Sequence, residues 1–159
     1  MLKKLILLLA VYSAAAVCQP FEVVSKQIFK KLVAIENQLS QLTKKERALG
    51  SFDSDDTHLT LYYQGKQLKK AVIRYADIGS NKVDHYYFAN NQLFLCRSII
   101  EEQAEEAEAK NTTANKAYYL YQQGSILRPP SSGQVQQTYM AKATQKRNKL
   151  ISALALSAF

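Results

Sequence analysis

Ile28, Leu32, Ile35, Leu39, Leu42 and Leu49 recur at steps of four and three, interrupted at Glu46, while lysine, glutamine and glutamate fill the positions between them. That spacing puts the apolar side chains on one stripe of a helix, so the pattern predicts a single long amphipathic helix from Phe21 to Gly50. Gly50 stands where a left-handed C-terminal cap is wanted, and Lys44, Lys45 and Arg47 fall at the end of the dipole that favours cations. A stripe of this kind suits packing on a sheet, and its repeat also suits pairing with a second helix.

After "SFDSDDT" the pattern changes to short runs rich in tyrosine and branched aliphatics: Leu59 to Tyr63, Gln67 to Tyr75, Lys82 to Phe88, Gln92 to Ile100, Lys116 to Tyr121 and Ser125 to Arg128. The breaks between them, "QGKQ", "DIGSN", "ANNQ" and "QQGS", carry turn residues and are mostly too short for crossovers, so the strands run antiparallel in chain order. Three segments, Tyr62 to Leu68, Tyr86 to Leu93 and Tyr119 to Leu127, repeat one hairpin pattern of aromatics, polar turn and aliphatic. Glu101 to Lys116 is a charged excursion into water, and the match of Asn111 to Thr113 to a glycosylation acceptor is read as chance beside a bacterial-style signal. The prolines of "RPPSSG" end the sheet. A second helix follows from Gln134 to about Leu156, bearing Val135, Tyr139, Ala143, Leu150 and Leu154 near one face and a basic run from Lys142 to Lys149. The fold class is therefore α+β: an antiparallel β-meander of about six strands packed with a long N-terminal helix and a C-terminal helix, most simply with both helices on one face.

The first residues, "MLKKLILLLAVYSAAAVCQP", have the basic start, short apolar core and small residues of a secretory signal. Residues 1–16 are expected to be a leader, and residues 17–159 a single exported α+β domain placed in the periplasm or secreted. Loss of Lys3 and Lys4 with the leader lowers the formal charge from +8 to +6. A moderately basic exported domain favours another envelope or secreted protein, or an anionic envelope component, as its partner. Nucleic acid is disfavoured because no zinc-finger spacing, phosphate loop or strongly basic tract is present. Outside the leader no stretch could span a bilayer. Cys18 and Cys96 would both remain in the mature chain, and an oxidising compartment predicts a disulfide between them. The "SAAAV" before Cys18 also resembles a lipoprotein signal, with Val17 where those signals carry a small residue; a lipid anchor at Cys18 and an outer-membrane location are the alternative. The sequence leaves the oligomeric state open.

For chemistry, the stretch "HYYFANNQLFLCR" is the most suggestive. With Asn90 and Asn91 as a two-residue turn, Phe88 faces Leu93, Tyr87 faces Phe94, Tyr86 faces Leu95, His85 faces Cys96 and Asp84 faces Arg97. His85 beside Cys96 offers a base and a nucleophile, without an orienting third group or oxyanion donor in any motif. Asp84 and Arg97 read as a cross-strand ion pair. "DSDD", Asp53 to Asp56, lacks the glycine and distal glutamate of a calcium loop. No metal or cofactor motif appears. Ten tyrosines without a tryptophan, several in adjacent pairs, would send a ring to each face of three strands. The leading expectation is a non-catalytic binding module, inhibiting or assembling with another envelope protein, with Tyr62, Arg74, Tyr86 and Arg97 on its recognition surface. A structural or assembly protein using the N-terminal helix, and a small exported hydrolase using His85 and Cys96, are the alternatives.

Overall fold

A computed structural model describes residues 20–50, 52, 56–77, 80–102 and 114–157. The expected leader, Cys18, Asp53–Asp55 of "DSDD" and most of the charged excursion lie outside them. Helix α1 (Phe21–Asn37) is followed by a 3-10 turn at Leu39–Gln41 and then by strand β1 (Thr43–Ala48). Strands β2 (Thr57–Gln64), β3 (Gln67–Asp77), β4 (Ser80–Ala89), β5 (Gln92–Glu102), β6 (Ala114–Gln122) and β7 (Ser125–Ile126) lead to helix α2 (Gly133–Leu156). The strands form one antiparallel sheet in the order β1-β2-β3-β4-β5-β6-β7. This is the α+β fold with two terminal helices that the pattern predicts, with one strand more.

The additional strand is a correction to the long helix. Residues Thr43–Ala48 pair with Tyr63 back to His58, and all six are exposed along the sheet edge. The sequence "TKKERA" favours a helix locally, but a ladder with β2 outweighs that preference, and Leu39 and Leu42 are only partly covered in the turn between. Gly50 does adopt a left-handed φ of 58°, past the end of a strand rather than of a helix. The stripe that could have paired two helices is spent within the chain, since Val24, Ile28 and Leu32 are buried against Tyr87, Phe94, Leu95 and Leu120.

The helices also lie on opposite faces of the sheet instead of sharing one. On the face away from α1, Ala143, Leu150 and Ala153 of α2 pack on Leu59, Leu61, Ala71, Ile73, Tyr75, Tyr86, Cys96, Tyr119 and Tyr121. The alternating tyrosines make this possible, because each strand can supply an aromatic side chain to both layers. Small residues on α2 bring its backbone close enough for ring hydroxyls to reach it. Tyr121 donates to the Ala143 carbonyl at 2.8 Å and Tyr86 donates to the Lys146 carbonyl at 3.1 Å.

At the centre of the α2 face sits a buried ion pair. Lys146 Nζ lies 2.6 and 2.7 Å from the two oxygens of Asp84. Ser98 donates to Asp84 at 2.7 Å and Tyr75 at 3.2 Å, with the Tyr86 hydroxyl 3.5 Å away, while Lys146 also donates to Ser98 at 3.1 Å. Each carboxylate oxygen is thus satisfied by sheet and helix together, which is the condition for burying a charge.

Asn90 and Asn91, at φ 50° and 59°, form the expected tight turn. Phe88 faces Leu93 as predicted, but an irregularity between Tyr87 and Phe88 leaves Phe94 unpaired and moves every later pair by one residue. Tyr87 then faces Leu95, Tyr86 faces Cys96, His85 faces Arg97 and Asp84 faces Ser98. A one-residue shift exchanges faces. The expected Asp84–Arg97 pair is therefore not made, and Lys146 supplies the cation instead.

The disulfide expectation is overturned as well. Cys96 is a free, fully buried thiol on the α2 face. The chain enters α1 on the other face, where Phe21 packs, so the thiol points away from the side on which the N-terminal segment arrives. Burial raises the thiol pKa well above its ordinary value, with the Asp84 charge adding to the effect.

Two outcomes follow from this core. A thiol reagent should leave Cys96 unmodified in the folded protein and label it on denaturation, as intact mass would show; rapid labelling under native conditions would contradict its burial. Lys146→Met should destabilise the protein by about 3–5 kcal/mol in urea unfolding, because Asp84 would be left buried without its cation. A loss near zero would mean that the pair does not anchor α2.

Candidate functional site at the α1 face of the sheet

The registers define three cross-strand rows on the face that carries α1. The first is Lys44, Tyr62, Lys70, Tyr87, Leu95 and Leu120; the second is Glu46, Thr60, Val72, His85, Arg97 and Tyr118; the third is Ala48, His58, Arg74, Val83, Ile99 and Lys116. Helix α1 covers part of the first row and reaches the second through Glu36 at Arg97 and Phe29 at Tyr118. Among the described residues no helix lies over the third row, where His58, Arg74 and Lys116 are exposed; in the second row Thr60 and Val72 are buried, so the open half-face consists of the third row together with the exposed Tyr118 and the part-exposed Arg97.

The border between covered and open halves is fixed by Glu36. Its Oε1 accepts from Lys70 at 2.9 Å and from the Tyr87 hydroxyl, and Arg97 Nη2 lies 3.5 Å away. Burial opposes ionisation of Glu36, but the Tyr87 and Lys70 hydrogen bonds and the charges of Lys70 and Arg97 outweigh it, holding its pKa below the usual value. Burial pulls the Lys70 pKa down against the attraction of Glu36. Lys70 and Arg97 lie on the Tyr87 ring at 5.2 and 5.8 Å from its centroid, and Lys70 also lies 5.7 Å from that of Tyr62. These cation–π contacts keep two positive groups close around one carboxylate.

Beyond this border lie His85 and Arg97, directly cross-strand. The imidazole stacks on Tyr87 with centroids 6.5 Å apart and an interplanar angle of 14°. Desolvation, reinforced by the positive charges of Lys70 and Arg97, lowers the His85 pKa to about 4. It is neutral at pH 7. His85 Nδ1 and Arg97 Nε are buried atoms with no hydrogen-bond partner among the described residues. Tyr118, 37% exposed, meets Phe29 of α1, 39% exposed, edge to face at 5.5 Å. Val33, one helical turn from Phe29, is also exposed.

Of the four residues expected at a recognition surface, Tyr62, Arg74 and Arg97 share this face. Tyr62 is half-buried at the covered row, Arg74 is exposed in the open half, and the Arg97 side chain retains 22% exposure. Tyr86 is on the other face at 0% exposure, and burial raises its pKa far above normal. It is a core residue beneath α2. Tyr118 is one of the paired tyrosines expected to send a ring to each face, whereas Phe29 and Val33 are not anticipated by the sequence reading. Phe29 and Val33 do carry a signal, since they sit beside the buried stripe at Ile28 and Leu32 and widen the apolar face of α1 by one position.

His85 and Cys96 occupy opposite faces, so the sheet itself separates the base and thiol that the sequence placed together. Among the described residues no cluster of three histidine, cysteine or acidic side chains is arranged to hold a metal ion. No helix of the described residues is long and apolar enough to cross a membrane. Comparison with family models, curated proteins and solved structures gives no match.

The pKa of His85 gives this site a pH signature. Between about pH 6.5, its ordinary value, and about pH 4, its folded value, the unfolded chain binds a proton that the folded chain does not. Stability should therefore fall as pH drops through this window, with the depressed Glu36 contributing at its lower end. Denaturation midpoints measured at steps across the window should decline, and His85→Leu should flatten the upper part. An unchanged slope in that variant would show that His85 is not a source of the effect.

Proposed function

We propose that the chain is a non-catalytic protein-binding module, working after export, that takes another envelope or secreted protein on its open half-face. The observation that carries this reading is the second row of the sheet, where Arg97 and Tyr118 stand side by side with Phe29 and Val33 along the adjoining helix. Aromatic and arginine side chains on a rigid support are the groups from which interface hot spots are commonly made. They sit here on a sheet held from behind by α2, so contact area is offered with little ordering cost.

Charge supports an acidic contact surface on the partner. Arg74, Arg97 and Lys116 bring positive charge to the open rows, whereas Glu36 is engaged by Lys70 and Arg97, and Glu46 by Lys44 at 2.5 Å. Complementary charge of this sort speeds encounter and fixes orientation more than it adds affinity.

The test compares the wild-type chain with a Val33→Asp, Arg74→Glu double variant, both positions being exposed. A photoreactive side chain at position 118 should crosslink one protein from the envelope of the producing cell. The double variant should retain that protein about tenfold less while keeping its far-UV spectrum, as expected for loss of about 1.4 kcal/mol of contact energy. Equal retention by both chains would reject the open half-face as the binding site.

A further inference from the structure

We propose that the outer edge of β6 receives an extended segment of the partner as an added strand, with carboxylates on its α2-side face and apolar side chains on its α1-side face. This rests on the binding reading above and names the partner's chemistry.

Strand β6 pairs with β5 from Ala114 to Leu120, but with β7 only at Tyr121 and Gln122. The outward groups of Leu120 are both used: its carbonyl accepts from Leu127 N–H at 2.8 Å, and its N–H donates to the Tyr139 hydroxyl at 2.7 Å. In an antiparallel ladder alternate residues direct both backbone groups to the same side. Lys116 and Tyr118 share the parity of Leu120, so their N–H and C=O groups face outward. Among the described residues no strand pairs with them.

The two sheet edges are protected unequally. Strand β1 carries Lys44, Lys45, Glu46 and Arg47 in succession, a charged edge that resists pairing. From Lys116 to Tyr119 β6 has one charge and two tyrosines. An edge of this kind is a template for strand addition, in which main-chain bonds give affinity and alternate side chains give selectivity.

The ground on either side of the edge specifies those side chains. Toward α2 lies a cavity of about 240 Å³, bordered by Ser98, Lys116, Tyr119, Lys142 and Gln145. Its lysines are Lys82, which lies over the Tyr75 ring, Lys142, and Lys146, which is bound to Asp84, while Lys116 borders it from the strand and belongs to the α1-face row. A carboxylate on the added strand would enter that lysine-rich space. Toward α1 the edge is flanked by Tyr118 and Phe29, which favour an apolar side chain. The Tyr139 hydroxyl occupies Leu120 N–H and so sets where the added strand ends.

An octapeptide alternating glutamate with valine, and its lysine–valine counterpart, provide the test. With the glutamate peptide, hydrogen exchange at the Lys116 and Tyr118 amides should slow about tenfold or more, read by NMR; the lysine peptide should give no protection. Lys142→Glu should weaken glutamate-peptide binding about tenfold. Tyr118→Pro, which removes an outward N–H without taking one from the β5 ladder, should abolish it. Absence of protection at saturating peptide, or equal protection by both peptides, overturns strand addition. Protection that grows with protein concentration and needs no peptide assigns the edge to a second copy and also overturns the proposal. If the Val33→Asp, Arg74→Glu variant loses the crosslinked protein while the peptide gives no protection, the binding reading stands and strand addition falls. If that variant keeps its partner while the peptide protects Lys116 and Tyr118, the open half-face falls and the edge remains.

Discussion

The buried carboxylate of Asp84 imposes the strictest condition in this fold. A charge at that depth is tolerated only if its oxygens are met by well-placed donors, and those donors come from β3, β5 and α2 through Tyr75, Ser98 and Lys146. Three separate alignments are thereby tied to one group. The β4–β5 register must bring Ser98 opposite Asp84, the β3–β4 register must leave Tyr75 within reach, and α2 must be rotated so that Lys146 enters beside Ala143 and Leu150. Apolar packing alone would accept several rotations of an alanine-rich helix. The ion pair selects one of them.

The irregularity at Tyr87 and Phe88 divides the labour between the faces. By shifting the pairs after it, it sends Cys96 and Ser98 beneath α2 and Leu95 and Arg97 toward α1. Arg97 can then join Glu36 and Lys70 at the border of the open half-face. Both helices are fastened by a carboxylate and a lysine, but with opposite polarity: in one the sheet supplies the acid, in the other the base. The α2 pair is enclosed, while the α1 cluster borders the open rows and retains unpaired polar atoms at His85 and Arg97.

Most of this architecture is written in local patterns. The six central and C-terminal strands, the Asn90–Asn91 turn and α2 follow from alternation, turn chemistry and the prolines after Arg128, all of which act over a few residues. The failures arise where distant parts of the chain decide. Residues Thr43–Ala48 read as helix because their side chains suit one, and only the main-chain ladder with β2 makes them a strand. The pairing of Asp84 depended on an unpaired Phe94 that no turn residue announces. Tyr86 and Arg97 share a face in the simple hairpin register, and the irregularity at Tyr87 and Phe88 sends them to opposite faces, Tyr86 into the core beneath α2. The extension of the open surface onto Phe29 and Val33 required knowing how far α1 reaches across the strands.

That reach has a consequence for how the chain is measured out. Helix α1 begins beside β6, where Val24 and Ile28 meet Leu120 and Phe94, and ends beside β3 and β2, where Glu36 meets Lys70 and Ile35 approaches Gln64. Its 17 residues span about 25 Å at 1.5 Å each, more than the roughly 14 Å of three strand spacings between β6 and β3. The helix is thus a crossbar over the middle strands, and the turn at Leu39–Gln41 carries the chain on to the edge. Helix and turn together carry the chain across the sheet, so that the first strand is laid down at the margin farthest from where the helix starts and the remaining strands can be added in order back toward it.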